Sequence, residues 1–184
     1  MGSFVYIILG VAVILLFWVA FTYNSFVKLV NLTKEAWAGI DVQLKRRYDL
    51  IPNLVKAVQQ YAKHEKGVFK EVTEARAAAM SAKTPASKGQ AENMLTEALK
   101  TVFAVAENYP SLRASENYQQ LQGELTNTED VISRSRDFYN ANVRDLNTKI
   151  QTFPDNAVAG VFNFQKQEFY QLSETDEARK SVSV

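Results

Sequence analysis

FVYIILGVAVILLFWVAF, Phe4 to Phe21, is an 18-residue run without a strongly polar side chain. It lies inside Met1–Val27, which contains no Asp, Glu, Lys, Arg or His. As a helix it matches the thickness of a bilayer's hydrocarbon core, where only backbone satisfied within its own segment is tolerated. Aromatic rings mark both ends: Phe4 and Tyr6 on one side, Phe17, Trp18, Phe21, Tyr23 and Phe26 on the other. Amphipathic rings concentrate at headgroup depth. The run therefore reads as a transmembrane helix, with Phe4, Tyr6, Leu9, Val13, Leu16, Trp18 and Phe21 as its lipid-facing residues.

Three other readings fit less well. A cleaved secretory signal needs basic residues before the apolar run and a small-x-small site after it. Here neither Lys nor Arg precedes Phe4, and the far end is the bulky Trp18-Val19-Ala20-Phe21-Thr22-Tyr23. Tyr6 stands where an N-myristoylation signal has Ser or Thr, and a lipoprotein anchor needs a cysteine the chain lacks. A soluble core helix is rarely apolar on every face. Orientation follows from the basic residues Lys28, Lys34, Lys45, Arg46 and Arg47, all C-terminal to the run. The positive-inside tendency places the body in the cytoplasm, with a short stub outside.

The remainder is long enough for one domain with its own core. With 21 basic and 20 acidic residues and no block of either sign, it lacks the basic bias of a nucleic-acid binder. The absence of cysteine suits a reducing compartment. The expected organisation is a membrane helix with its stub over 1–27 and a helical bundle over 28–153. An apolar, aromatic segment over 154–172 then turns back toward the membrane, and a polar tail fills 173–184.

Past the span no strand pattern occurs, and helical spacing dominates. Ile40, Leu44, Tyr48, Ile51, Val55, Val58 and Ala62 form one stripe after Trp37. No breaker separates Phe21 from Lys34, so the membrane helix is expected to continue into this one as a rod about 90 Å long. Pro52 removes a donor and crowds the preceding turn, which predicts a kink near Tyr48–Pro52. A break with Asp49 as a fresh cap is the alternative, although the stripe keeps its phase across the proline. A turn is expected near His64–Glu65–Lys66. A second helix then carries Val68, Val72, Ala75 and Ala79, and a third follows the Thr84 cap and Pro85 with Leu95, Ala98 or Leu99, Val102 and Ala106. Ser115 reads as the cap of a fourth helix, with Glu116 against its positive end. There Tyr118, Leu125, Ile132, Tyr139, Leu146 and Phe153 recur every seven residues. The other half of that seam, Leu121, Thr128, Ser135, Asn142 and Lys149, turns polar, as on a packed edge rather than a strong zipper. The fold expected is all-α: a transmembrane helix continuing into an antiparallel, up-down four-helix bundle with long first and fourth helices.

In such a bundle the fourth helix returns toward the membrane. FPDNAVAGVFNFQKQEFY, Phe153 to Tyr170, would then lie in the lipid interface, cap the open end of the bundle, or mediate assembly. Phe162, Phe164, Phe169 and Tyr170 are its candidate contact residues.

Catalytic material is scarce. His64 is the only histidine, and Val68 stands where a zinc-protease helix would place its second one. With no cysteine, neither a transition-metal site nor a Cys–His or Ser–His pair has obvious components, and no cofactor or small-molecule substrate is implied. His64 reads as an exposed turn residue. The pairs Glu71–Glu74 and Glu124–Glu129–Asp130 read as solvated faces. Lys45–Arg46–Arg47 lies roughly 36 Å past Phe21 along the axis, beyond the ~8 Å screening length that would couple it to lipid charge. It is either a solvated face or a contact for a partner's acidic patch.

Several blocks resemble the bacterial LemA family: KRRYDLIPNLV (Lys45–Val55), YAKHEK (Tyr61–Lys66), EVTEARAAAMSAKT (Glu71–Thr84) and AENYP (Ala106–Pro110). ELTNTED (Glu124–Asp130), DFYNANVRDLNTKIQTFP (Asp137–Pro154) and GVFNFQKQEFY (Gly160–Tyr170) do so too. The resemblance covers nearly the whole chain in order. It implies a single N-terminal span in the inner membrane of a bacterial cell, a small extracytoplasmic stub and a cytoplasmic helical bundle, without an established enzymatic activity. The function expected is that of a membrane-anchored, non-catalytic scaffold or adaptor that self-assembles. The alternative is a regulator or sensor binding another membrane protein, such as a protease or histidine kinase. The span has no GxxxG pair, so tight dimerisation within lipid is not indicated.

Overall fold

The computed structural model describes residues 2–170, and all regular structure within them is helical. The elements are α1 (Gly2–Gln59), α2 (Lys66–Ser81), α3 (Pro85–Glu107), α4 (Pro110–Arg113), α5 (Glu116–Gln151) and α6 (Asp155–Val161). The predicted polar tail lies outside the described residues.

α1 is one unbroken helix of 58 residues, about 87 Å long at the standard rise. Its hydropathy changes partway while the backbone does not. Gly2 to Phe17 is exposed throughout, and packing begins only at Trp18 and Val19. From there the helix becomes striped. Ile40, Leu44, Tyr48, Ile51 and Val58 are buried, with Val55 half-buried beside them. One helix is thus long and apolar enough to cross a membrane.

α5 packs along α1 over most of its length, in the opposite direction. Arg46 meets Glu124, Trp37 meets Tyr139, and Phe26 lies under Lys149. α3 runs with α1, since Asp41 pairs with Lys88 and Arg47 with Glu92. α2 packs chiefly on α3, and its Arg76 reaches back to Tyr48. Leu95, Ala98, Leu99, Val102 and Ala106 of α3 and Tyr118, Leu121, Leu125 and Ile132 of α5 close one core over α1. A second, smaller cluster joins Phe26 of α1 to Leu146 of α5 and to Val158 and Ala159 of α6.

The punctuation follows local chemistry. Thr84 caps α3 in a reciprocal box with Ser87, and Pro85 occupies the first turn. Ser115 stands at the N-cap position of α5, but its side chain makes no capping bond. The sequence reading expects four helices; the structure adds two short ones at the Pro110 and Pro154 stops. α4 is a single turn that tucks Leu112 into the core. α6 ends in a left-handed cap. Asn163 adopts φ 56°, the Phe164 N–H reaches the Ala159 carbonyl at 2.9 Å, and the Asn163 N–H reaches that of Gly160 at 3.3 Å. This Schellman arrangement satisfies the final carbonyls and turns the chain around. Residues 164–170 then run back along α5, and Tyr170 enters the core.

α1 passes through Pro52 without interruption, so no fresh start occurs at Asp49. In a regular helix the N–H of residue 52 would bond the carbonyl of Tyr48, and proline has none. The vacant acceptor is filled from another helix: Arg76 Nε donates to the Tyr48 carbonyl at 2.7 Å. We expect Arg76→Ala to cost about 1–3 kcal/mol, as for an orphaned buried acceptor. In a Pro52→Ala background the backbone regains its own donor, and the cost of Arg76→Ala should fall below about 1 kcal/mol. Urea unfolding of the four proteins in detergent tests this; equal costs in both backgrounds would refute the compensation.

Candidate functional site

Three consecutive helical residues point about 100° apart and cannot share one face. The basic triplet divides accordingly. Lys45 and Arg46 are exposed, whereas Arg47 is 3% exposed and lies inside the helical body. The structure thereby corrects the expectation of a solvated or partner-contacting Arg47. The signal was present in the stripe: Arg47 follows Leu44 by three residues and precedes Ile51 by four, which puts it on the buried face.

Around Arg47 the fold assembles a buried polar cluster. Its Nη1 pairs with Glu92 Oε2 at 3.0 Å, and its Nη2 pairs with Glu129 Oε2 at 2.8 Å and donates to Thr96 Oγ1 at 2.9 Å. The Tyr48 hydroxyl donates to the other Glu92 oxygen. Glu92 is thus held from α1 twice, while Glu129 of α5 stays half-exposed. A guanidinium suits this duty because its planar fork can serve several oxygens at fixed angles. Burial pushes the Glu92 carboxyl above the usual range; the Arg47 charge and the Tyr48 hydrogen bond oppose this without cancelling it. Burial likewise drives the Tyr48 and Tyr170 hydroxyls up, each helped by the negative charge of Glu92. Every polar atom that Arg47 and Tyr48 bring to Glu92 is engaged within the protein, so the cluster ties α1, α3 and α5 together.

The aromatic candidates after α6 also separate. Phe162 and Phe169 are exposed, Phe164 is half-buried, and Tyr170 is 2% exposed. Phe164 stacks on Phe26 with ring centroids 4.7 Å apart, and Phe162 lies against Tyr23 at 4.8 Å. Tyr170 is corrected from contact residue to core residue: it packs near Trp37, and among the described residues its hydroxyl finds no hydrogen-bond partner. Two asparagines hold this returning segment. Asn140 accepts from the Tyr170 N–H at 2.9 Å and donates to its carbonyl at 3.0 Å; Asn147 does the same for Gln167, at 2.9 Å each. Seven helical residues rise about 10.5 Å, and three extended residues span about 10 Å. The amide pair on α5 therefore matches the spacing of the non-helical stretch it clasps.

Other candidate positions follow the sequence reading more closely. Phe4, Tyr6, Leu9, Val13, Leu16 and Phe21 are exposed along α1, whereas Trp18 is partly covered by the second cluster. His64 is exposed in the turn before α2. Among the described residues no three His, Cys, Asp or Glu side chains gather as metal ligands would. Two surface grooves are lined in part by α1. A groove of about 260 Å³ has Trp37 and Tyr139 among its walls, with Lys34 and Lys83 also lining it. A shallower groove between α1 and α5 is lined by Gly39, Val131 and Phe138, with Glu35 and Arg134 beside them. Phe138 is 56% exposed there, and Val42, one turn along α1, is 64% exposed.

The LemA family model matches residues 36–184, from the first α1 residue of the larger core cluster onward. Magnetosome protein MamQ 2 of Paramagnetospirillum magneticum is 26% identical over 175 residues, covering 81% of this chain. Magnetosome protein MamQ of Magnetospirillum gryphiswaldense is 24% identical over 174 residues and 80% of the chain. In both cases the match spans 64% of the relative's length, so the chain covers just under two thirds of these proteins. Protein LemA of Metamycoplasma hominis is 26% identical over 157 residues, covering 83% of this chain and 70% of its own length.

The Glu92 shift has a defined sign. The folded state holds this proton more tightly than the unfolded chain, so unfolding releases it and rising pH favours unfolding. From the ordinary carboxylate range up through the raised Glu92 value, native stability should fall relative to a Glu92→Gln variant. Urea midpoints measured across that interval decide; parallel profiles would show that Glu92 does not set the slope. For the returning segment, Tyr170→Phe should leave stability unchanged or raise it by up to about 1 kcal/mol, since it removes an unbonded hydroxyl. Tyr170→Ala should cost about 3–5 kcal/mol, read from the same unfolding curves.

Proposed function

The chain belongs to the LemA family, and on that premise we propose that it is a membrane-anchored, non-catalytic helical scaffold that assembles with further copies of itself. α1 crosses the cytoplasmic membrane once, its basic residues keep the helical body on the cytoplasmic side, and the body forms an up-down four-helix bundle. Neither the family description nor the relatives' names state an enzymatic activity.

The observation that carries self-assembly is the outward groove between α1 and α5. Phe138 stands exposed in it, Val42 is exposed one turn beyond Gly39 on α1, and the flanking Glu35 and Arg134 carry opposite charges. Copies anchored in one membrane share an orientation, so a two-fold axis along the membrane normal brings residues of equal height together. The apolar strips then cover each other, bordered by the opposite charges of Glu35 and Arg134. The regulator reading, in which the same strip meets another membrane protein, has no observation of its own in its favour.

Full-length protein extracted in several mild detergents should run as an assembly larger than its 20.7 kDa chain in light scattering corrected for bound detergent. Phe138→Glu should shift it toward the monomer. A clean monomer in every detergent would remove the scaffold reading.

A further inference from the structure

At the point where α1 leaves the core, a ring of apolar side chains faces away from the helical body. Phe21 is 74% exposed, Phe153 82%, Val161 80% and Phe162 47%. They come from two places in the chain that α6 brings to one level. The inner side of α6 is fastened down by Val158 and Ala159, which pack with Phe26 and Leu146. Phe162 lies on Tyr23, and Phe164 stacks on Phe26. Between Phe153 and Phe164 the sole ionisable side chain is Asp155. Its carboxylate is engaged by Lys149 at 2.8 Å and by the Thr22 hydroxyl at 3.4 Å. The ring therefore presents hydrocarbon outward, and the one charge beneath it is neutralised.

Length fixes its position. The fully exposed part of the apolar run, Phe4–Phe17, is about 21 Å long, whereas a bilayer's hydrocarbon core is about 30 Å thick. Extending the run to Phe21 gives about 27 Å. A helix that crosses the core must therefore bring the level of Phe21 to its boundary. α6 packs at Trp18 to Phe26 and is carried to the same depth. Lys28, exposed on α1 about 10 Å beyond Phe21, then falls among the headgroups.

We propose that Phe153, Val161 and Phe162 enter the lipid interface of the leaflet on the body's side. The end of the helical body is then seated in the membrane, in addition to being tethered by α1. This rests on the reading of α1 as a span. Lipid is favoured over a second copy because the ring is continuous with the exposed apolar surface of α1 and lies at its depth. The strip assigned to self-assembly is elsewhere, higher on α1 and α5.

The native chain has no cysteine, so nitroxide labels can be placed singly. Full-length Phe153→Cys, Val161→Cys, Leu9→Cys and Tyr61→Cys variants would be labelled in vesicles of phosphatidylcholine and phosphatidylglycerol. Collision rates with oxygen and with a water-soluble nickel chelate are then compared. Labels at 153 and 161 should favour oxygen several-fold more than the label at 61, approaching the value at 9. If 9 reports lipid while 153 and 161 resemble 61, the seated end face is wrong and the anchor stands. If 153 and 161 are shielded from both reagents, protein covers the ring and the proposal falls. If position 9 is itself water-exposed, anchor and proposal fall together.

Discussion

One helix passes from an all-apolar surface to a striped one without a joint, and the rest of the structure conforms to that. The apolar part of α1 meets the demand of a bilayer, since a helix satisfies its backbone groups within its own segment. The same continuity holds α1 in a single rotational phase from Trp18 to Gln59. Where the all-apolar surface gives way to a stripe, that phase decides which residues the partner helices meet. The proline within the stripe is the one position at which the helix cannot complete its own bonding, and a guanidinium from α2 supplies what is missing. The repair comes from a neighbouring helix, so the integrity of α1 and the docking of α2 are linked.

The Arg47 cluster is a second consequence of the same phase. A basic residue turned inward must be met by acceptors or it is destabilising by several kcal/mol. Glu92 and Thr96 of α3 and Glu129 of α5 meet it from both sides. Replacing such a cluster by well-packed apolar residues is often no less stable. What it adds is direction: the bonds of the guanidinium fork to Glu92, Thr96 and Glu129 are made in the observed registry of α3 and α5 against α1. Apolar ridges alone permit slippage by a turn more readily.

Much of this was legible in the sequence. The apolar run, the uninterrupted continuation into a striped helix, the Thr84–Pro85 start and the inward heptad positions of α5 all follow from spacing and capping chemistry. The family was legible from blocks such as KRRYDLIPNLV. What escaped was side-chain chemistry acting between elements. Arg47 sits on the buried stripe, but three adjacent basic residues look like surface because a lone buried cation is so unfavourable; its partners are 45 and 82 residues away. Tyr170 reads as an exposed aromatic near the end of an apolar stretch, since nothing local shows that α5 carries two amides at the spacing of an extended chain. α6 was hidden because its Asn163 turn lies between phenylalanines, where the apolar count masks a left-handed cap.

Those two amides bear on how the protein loosens. The segment they clasp begins at the cap of α6 and ends with a side chain inside the main core, so it bridges the two clusters of apolar packing. Freeing Gln167 alone would leave Tyr170 anchored, and freeing Tyr170 would open a void beside Trp37. Partial detachment is therefore unfavourable from either end, and the whole stretch should come away in one step. The foot of α1, where Phe164 packs on Phe26, and the Tyr170 pocket are thereby joined through one short length of backbone.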